Sequence, residues 1–172
     1  MSLNYKGQNL FIDNISIKGI ANKNNTPFYV YSYKKIKDNF ETFCSYFKKV
    51  SPLVCFSVKS NSNVSILTEL GKLGSGADVV SEGELLKALK ARINPKKIVF
   101  SGVGKTSSEL RLAIKKKVLL INVESESEAL LINKISKKMN RVTSIGIRLN
   151  PNVDANTLSK IQLANLIVNL VY

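Results

Sequence analysis

The sequence predicts an α/β protein with parallel strands. Short apolar, β-branched segments alternate with segments whose apolar residues recur at helical spacing, and from Leu53 onward each strand–helix unit takes about 20 to 25 residues. Units that alternate in this way place the strands parallel, with a helical crossover after each strand. The near-continuous apolar character of the strands indicates burial on both faces. A doubly wound sheet and a TIM-type barrel both fit these observations.

The predicted elements follow one another from residue 27 to residue 149. A first strand is predicted at residues 27–32 (PFYVYS), and a helix at residues 33–49 follows it. The later strands are predicted at 53–59, 76–81, 98–102, 118–123 and 143–149. The helices that separate them are predicted at 64–73, 82–91, 107–116 and 124–138. Pro52 and Gly74 mark breaks between elements, and Pro151 closes the last strand.

The composition narrows the protein class. The chain has 172 residues, of which 44% are hydrophobic and 22% charged, as in one globular domain or part of one. No apolar run reaches the roughly 18 residues of a membrane span, and the N-terminal segment lacks the apolar stretch of a signal peptide, so we expect a cytoplasmic protein.

Histidine is absent, which excludes histidine-based triads and histidine metal sites within this chain. Cys44 and Cys55 form no cluster, so we expect no disulfide or zinc site. Cys44 is expected on a helix and Cys55 on a strand, each as a small buried hydrophobe.

The net charge of +14 comes mostly from 22 lysines, against four arginines. Nucleic-acid interfaces use arginine heavily for base edges and forked phosphate contacts. Here the lysines occur in short runs at predicted helix ends, where they complement the helix dipole. We therefore expect no nucleic-acid partner and no membrane partner. The alternative, a lysine-rich nucleic-acid binder, predicts a DNA affinity that falls steeply with salt.

Two glycine-containing segments imitate phosphate-binding loops. Gly104, Lys105 and Thr106 match the end of a P-loop, but position 99 holds valine where that motif requires glycine. Residues 71–76 (GKLGSG) precede a predicted strand, whereas a dinucleotide-binding loop follows one. We assign neither segment to phosphate binding.

Polar residues end several predicted strands, and Lys59 is the most informative of them. Lys59, Ser81, Ser101 and Arg148 lie at or near the carboxyl ends of strands, which form the active-site face of a βα barrel. A lysine in an apolar strand is costly unless it is neutral, paired or covalently used. Burial would favour the neutral amine that forms a Schiff base. The alternative is a surface lysine whose ammonium reaches solvent.

Six segments occur in an order that resembles a known family: FYVYS (28–32), CFSVKSNSN (55–63), LGSGADVVSEGEL (73–85), IVFSGVGKTSSEL (98–110), INVESESEAL (121–130) and IRLNPNVDA (147–155). Together they resemble the N-terminal half of the diaminopimelate decarboxylases, in the alanine-racemase-like class of pyridoxal-phosphate enzymes. The resemblance runs from about residue 26 to residue 159. It implies a partial TIM (β/α) barrel with about five of the eight βα units, preceded by an N-terminal strand and helix.

The resemblance also implies an activity and a set of site residues. The implied reaction is decarboxylation of meso-diaminopimelate to L-lysine with pyridoxal 5′-phosphate, and Lys59 would bind the cofactor covalently. Asp78 and Ser81 would lie beside the cofactor ring and Lys59, and Arg148 would reach the same pocket; no metal is implied. Asp78 also fits a cap at a strand entry, and Arg148 a structural ion pair. Glu82 and Glu84 fit better as partners of a helix N-terminus than as catalysts.

The resemblance divides the chain into an N-terminal strand–helix segment at 1–50, a partial cofactor-binding barrel at 51–159 and a tail at 160–172. The family pattern has a histidine where Leu158 stands, and codon degeneracy allows a one-base frame shift to restore the expected tail. We therefore expect a frameshifted, split or decaying gene and a chain without activity by itself.

Three partner relations are expected. The substrate is a small amino acid, full-length relatives form homodimers, and a complementary chain completes the barrel. Two alternatives stay open: an ornithine- or arginine-type decarboxylase, and a non-catalytic remnant or half-barrel subunit.

Overall fold

The structure is a computed structural model that describes residues 3–149. It divides into two compact units, Met1–Pro52 and Leu53–Tyr172. The predicted tail at 160–172 and the last part of the resemblance lie outside the described residues. Within residues 3–149, no helix is both long enough and apolar enough to cross a membrane.

The first unit contains a small antiparallel sheet that the sequence did not predict. Its strands follow in the order β1 (Leu3–Lys6), β2 (Asn9–Ile12) and β3 (Ile15–Ser16), and its helices are α1 (Ile17–Ala21) and α2 (Tyr33–Tyr46). Positive backbone φ angles at Gly7, Asp13 and Asn14 lie in the two turns that join the strands. Glycine, asparagine and aspartate tolerate this conformation best, so these turns carry the residue types they require.

The strand predicted at residues 27–32 is wrong. These residues form no strand, and both Tyr29 and Tyr31 are exposed. Aromatic and β-branched composition favours a strand only where a neighbouring strand supplies hydrogen bonds, and no described strand pairs with this segment. The helix that follows does begin at Tyr33 as predicted, because the Ser32 hydroxyl accepts the Lys35 amide hydrogen bond as an N-cap. It ends at Tyr46 rather than at residue 49.

The second unit is a parallel sheet of five strands with four helices between them. The strands are β4 (Cys55–Ser57), β5 (Gly76–Val79), β6 (Ile98–Phe100), β7 (Leu120–Val123) and β8 (Ile145–Ile147). The helices are α3 (Val64–Lys72), α4 (Glu82–Lys90), α5 (Ser107–Lys116) and α6 (Glu126–Lys138). Short 3₁₀ turns lie at Val58–Ser60 and Pro95–Lys97. All five strands predicted here from residue 53 onward are present, although the structure shortens each of them.

Strand order decides between the two architectures that the sequence left open. The order in the sheet is β4-β5-β6-β7-β8, so each strand lies beside the next one in the chain, and every pair is parallel. A doubly wound sheet reverses its order at a switch point, whereas barrel strands follow one another sequentially. The sheet is therefore an arc of the barrel type, which confirms the predicted fold class.

The core lies between this sheet and its helices. Successive strand residues point to opposite faces, and in β5 the completely buried Ala77 and Val79 point toward the helices. Phe100 and Ile121 occupy the corresponding places in β6 and β7 and are also completely buried. The residues between them, such as Asp78, therefore point to the other face of the sheet, where the polar groups described next lie.

Candidate active site at the carboxyl ends of the parallel strands

Hydrogen bonds join polar side chains from three neighbouring strands. The Ser101 hydroxyl, directly after β6, donates to Oδ1 of Asp78 in β5 over 2.7 Å. The Asn122 side-chain amide, in β7, donates to the Ser101 hydroxyl over 3.0 Å. All three side chains are half-buried. The chain of donors ends on the Asp78 carboxylate and fixes its place on the face away from the helices.

A glycine in β8 provides the space for Asn122. Gly146 lies opposite Asn122 in the parallel register, and a Cβ at Gly146 would come 2.5 Å from Asn122 Oδ1. Real side chains do not approach so closely. The glycine therefore leaves room for the Asn122 amide oxygen while the amide nitrogen reaches Ser101.

Arg148 and Glu124 form an ion pair at the ends of the last two strands. The Arg148 backbone amide donates to the Val123 carbonyl oxygen over 3.1 Å, which aligns the two strand ends. Arg148 Nη1 lies 3.2 and 3.3 Å from the two carboxylate oxygens of Glu124. The Glu124 side chain is 6% exposed and that of Arg148 is 41% exposed, so the guanidinium is held on one side and open to solvent on the other. The structural ion pair, which was the alternative role considered for Arg148, is present.

Lys59 follows the first parallel strand, but the expected burial is wrong. It lies in the 3₁₀ turn Val58–Ser60, directly beyond β4, and its side chain is exposed. The strand ends at Ser57, and the completely buried Val58 takes the core position in the turn. Within residues 3–149, the Lys59 ammonium has no hydrogen bond or ion pair to Asp78 or any other group. The structure therefore places Lys59 at the expected edge of the sheet, one strand from Asp78, without the desolvation that the sequence argument assumed.

Ser81 is a helix cap in this structure. Its hydroxyl accepts the Glu84 amide hydrogen bond over 3.3 Å at the start of α4, and the Glu84 carboxylate accepts the Val80 amide over 3.0 Å. Glu82 and Glu84 lie in the first turn of α4, as expected for partners of the helix dipole. The hydroxyl that we assigned to the cofactor is thus already engaged in starting the helix.

The buried lysine of this sheet edge is Lys105, to which the sequence analysis assigned no role. Its side chain is 1% exposed and pairs with the Glu128 carboxylate in α6 over 2.8 Å. The ammonium also donates to the carbonyl oxygens of Gly102 and Asn122. The sequence feature that could have indicated this burial is a single lysine within a glycine-containing turn after a strand. This turn is the segment whose end matches a P-loop.

The Asp78 carboxylate also influences the neighbouring strand. Burial raises the pKa of the Cys55 thiol in β4, the negative charge of Asp78 raises it further, and Lys97 acts in the opposite direction. The thiol is therefore held protonated. Both Cys55 and Cys44 are free, on a strand and a helix as predicted, although both are half-buried rather than fully buried.

Comparisons with known proteins agree with this arrangement. Residues 33–165 match the family described as the pyridoxal-binding domain of pyridoxal-dependent decarboxylases. The chain belongs to this family. The diaminopimelate decarboxylase of Aquifex aeolicus is 44% identical over 155 residues, which are 90% of this chain and 36% of that protein. The one from Helicobacter pylori strain J99 is 50% identical over 132 residues, or 77% of this chain and 33% of that protein.

A solved structure gives the same result for the fold. The crystal structure of Helicobacter pylori diaminopimelate decarboxylase complexed with L-lysine superimposes with a TM-score of 0.80 at 45% identity. The match covers 83% of this chain and 36% of that one. The chain therefore spans about a third of the length of the diaminopimelate decarboxylases that it matches, and its residues 33–165 are the part that matches the pyridoxal-binding domain.

Proposed function

We propose that this chain provides the lysine-bearing part of a pyridoxal-phosphate-dependent decarboxylase that converts meso-diaminopimelate to L-lysine. The observation that carries the proposal is the family match over residues 33–165, within which Lys59 lies at the carboxyl edge of the sheet beside the strand of Asp78. The names of the relatives at 44% and 50% identity support diaminopimelate as the substrate. They favour it over the ornithine- or arginine-type alternative.

The residues at this edge fit the chemistry of pyridoxal phosphate. The cofactor presents an aldehyde, a phenolic oxygen and a phosphate, and it needs an accessible primary amine together with groups of fixed charge. Lys59 offers an exposed amine, and Arg148 offers a guanidinium that Glu124 holds on one side only. Lys59 would hold the aldehyde carbon, and Arg148 would face an anionic oxygen. When bound, the cofactor supplies an electron sink for the electron pair released as the carboxylate leaves.

The side chains of this edge have separate roles in the proposal. Asp78, held by the Ser101 hydroxyl, places a fixed negative charge beside the strand that bears Lys59, where it stabilises a cationic nitrogen. The Ser101 hydroxyl donates to Asp78 and is itself held by the Asn122 amide, so it keeps the carboxylate on this face of the sheet. Ser81 starts α4 by accepting the Glu84 amide, and its hydroxyl keeps its own proton, which it would donate to the cofactor.

The test must separate Lys59 from the other 21 lysines of the chain, because pyridoxal phosphate reacts with exposed amines in general. The chain is incubated with a low concentration of pyridoxal phosphate, reduced with borohydride, digested, and mapped by mass spectrometry. We expect Lys59 to carry the largest share of the adduct, and Lys59→Arg to lower total incorporation. Lys87→Arg is the matched control, because Lys87 is also exposed and its ammonium donates to nearby Ser62. Labelling of Lys59 that is no greater than labelling of Lys87 contradicts the proposal.

The substrate is tested with the same trapping reaction. We expect meso-diaminopimelate to displace Lys59 from the cofactor at lower concentrations than L-ornithine or L-arginine does. Equal displacement by all three amino acids removes the support for diaminopimelate. We expect no measurable release of carbon dioxide by this chain alone, since it spans only 36% of its Aquifex relative.

The assembly of the barrel is a further part of this proposal. Within the described residues, β8 pairs only with β7, and Ile147 is 73% exposed. A strand at the end of a sheet has one edge without a partner, and apolar side chains there favour pairing with another strand. We propose that β8 pairs with a further strand, which a complete enzyme supplies. We also propose that the complete enzyme forms homodimers and lies in the cytoplasm. We expect the chain alone to self-associate, so that light scattering gives a mass above 19.0 kDa. A monodisperse monomer contradicts this expectation.

A further inference from the structure

The buried Lys105 uses its whole hydrogen-bonding capacity within the protein. Its ammonium donates over 2.6 Å to the Gly102 carbonyl oxygen, over 2.7 Å to the Asn122 carbonyl oxygen and over 2.8 Å to Glu128 Oε1. A lysine ammonium has three protons, so these three contacts satisfy it completely. The contacts fix the loop after β6, the end of β7 and the first turn of α6 to a single point.

Glu128 links Lys105 to Glu124, the partner of Arg148. While Oε1 binds Lys105, the other carboxylate oxygen of Glu128 accepts the Glu124 backbone amide over 2.8 Å. Glu124 in turn holds Arg148 through its carboxylate. Two ion pairs, joined by a hydrogen bond from the Glu124 backbone amide to Glu128, thus connect Lys105 with the guanidinium at the end of β8.

The second βα unit of the sheet offers an internal comparison. At the start of α4, Ser81 caps the helix and the Glu84 carboxylate accepts the Val80 amide over 3.0 Å, just as Ser125 and Glu128 do at the start of α6. Within residues 3–149, no lysine pairs with Glu84. The capped turn therefore forms without a buried lysine, and Lys105 adds something that the start of a helix does not require.

A buried ammonium is expensive to desolvate, so its contacts have to compensate for its burial. The two turns differ in the residue before the cap. Before α6 this residue is Glu124, which pairs with Arg148, and before α4 it is the apolar Val80. We propose that Lys105 is a positioning residue that, through Glu128, fixes Glu124 and thereby directs Arg148 at the carboxyl edge of the sheet. The inference rests on the proposed function only where Arg148 is taken to face an anionic cofactor group.

The experiment measures the reactivity of Arg148 and needs no cofactor. The chain is treated with phenylglyoxal, an arginine reagent, and the modification of each of the four arginines is followed by peptide mass spectrometry. We expect Lys105→Met to accelerate modification of Arg148 by about two- to fivefold, the factor that loss of one partly exposed ion pair corresponds to. Glu124→Gln should give a similar acceleration. Adding Lys105→Met to Glu124→Gln should give no further increase, because both changes act on the same connection.

Two controls separate positioning from general loss of stability. Leu67→Ala removes a completely buried side chain in α3 and destabilises the core without touching this connection, and it should leave the Arg148 rate unchanged. Glu84→Gln alters the comparable turn that lacks a lysine and should also have no effect. If Lys105→Met does not fold, Glu128→Gln tests the same link.

The proposal is overturned if Arg148 in the folded Lys105→Met or Glu128→Gln variant reacts at the parent rate. It is also overturned if Leu67→Ala accelerates the reaction equally. Neither result bears on the trapping of pyridoxal phosphate at Lys59, so the failure of one proposal is distinguishable from the failure of the other.

Discussion

Gly76, the first residue of β5, is buried at a point where no side chain fits. A Cβ at this position would lie 2.8 Å from Cys55 Sγ in β4, 3.2 Å from the Lys97 carbonyl carbon, and closer still to the Lys97 carbonyl oxygen. The Gly76 amide also donates to the Val54 carbonyl oxygen over 2.9 Å, so the strand cannot move away without losing this bond. We therefore predict that Gly76→Ala destabilises the parallel sheet.

The size of the effect follows from two opposing contributions. Overpacking a core position costs about 1–3 kcal/mol, and the upper end applies here because one of the clashing groups is backbone that cannot rotate away. Replacing glycine by alanine lowers the entropy of the unfolded chain and returns about 0.4–1 kcal/mol. The expected net loss is about 2 kcal/mol, which lowers the Tm of a chain of this size by about 4–8 °C.

The assay is thermal unfolding followed by circular dichroism, with Gly83→Ala as the matched control. Gly83 lies in the first turn of α4, where a Cβ would meet only Ser81 Oγ at 3.9 Å, so alanine should stabilise the chain by about 0.5–1 kcal/mol. Combining Gly76→Ala with Cys55→Ala should restore only part of the loss, since the Lys97 carbonyl group remains. If Gly76→Ala unfolds at the parent temperature, the packing described around β5 is refuted.

Three further predictions concern the core, acid stability and the site. Phe100→Ala, at a completely buried position, should lower the free energy of unfolding by about 3–5 kcal/mol in urea titrations, and a loss below about 1 kcal/mol contradicts its place in the core. The Thr106 amide holds the pKa of Glu109 below its ordinary 4.5, so the ionised carboxylate stabilises the fold above that pH and the stabilisation is lost as the pH falls through the lowered value. Glu109→Gln should therefore be less stable than the parent at pH 7, and the difference should shrink below about pH 4.5; a constant difference disproves the linkage. Gly146→Ala should turn the Asn122 amide away at a cost of about 0.5–1.5 kcal/mol, visible as a shift of the Asn122 side-chain NMR signals, and an unshifted signal contradicts the close approach.

The helices of the second unit were well predicted because their signals are local. The helix at residues 107–116 has the predicted bounds, since Thr106 caps it and Glu109 completes a capping box within four residues of sequence. Strand ends were predicted less well. The last strand was expected at 143–149 and covers only Ile145–Ile147. A strand extends as far as its neighbour pairs with it, and the neighbour is remote in sequence.

In the first unit, the sequence predicted even the presence of strands wrongly. Residues 27–32 have the composition of a strand and form none, whereas the strands β1, β2 and β3 arise in a segment to which the sequence analysis assigned no element. Composition measures how well a residue suits a strand, and pairing decides whether the strand exists.

The sequence by itself determined the alternation of strands and helices and the edge of the sheet at which polar residues gather. These properties depend on hydrophobic periodicity and on caps, which act over a few neighbouring residues. Only the tertiary structure decided which lysine is buried. Lys59 stands in an apolar segment yet reaches solvent, whereas Lys105 stands among glycines yet is enclosed. The partners of Lys105 include Asn122 and Glu128, which lie 17 and 23 residues away along the chain. The free energy of burying a charge depends on the groups that the fold brings around it, and the residues beside it in the sequence do not reveal them.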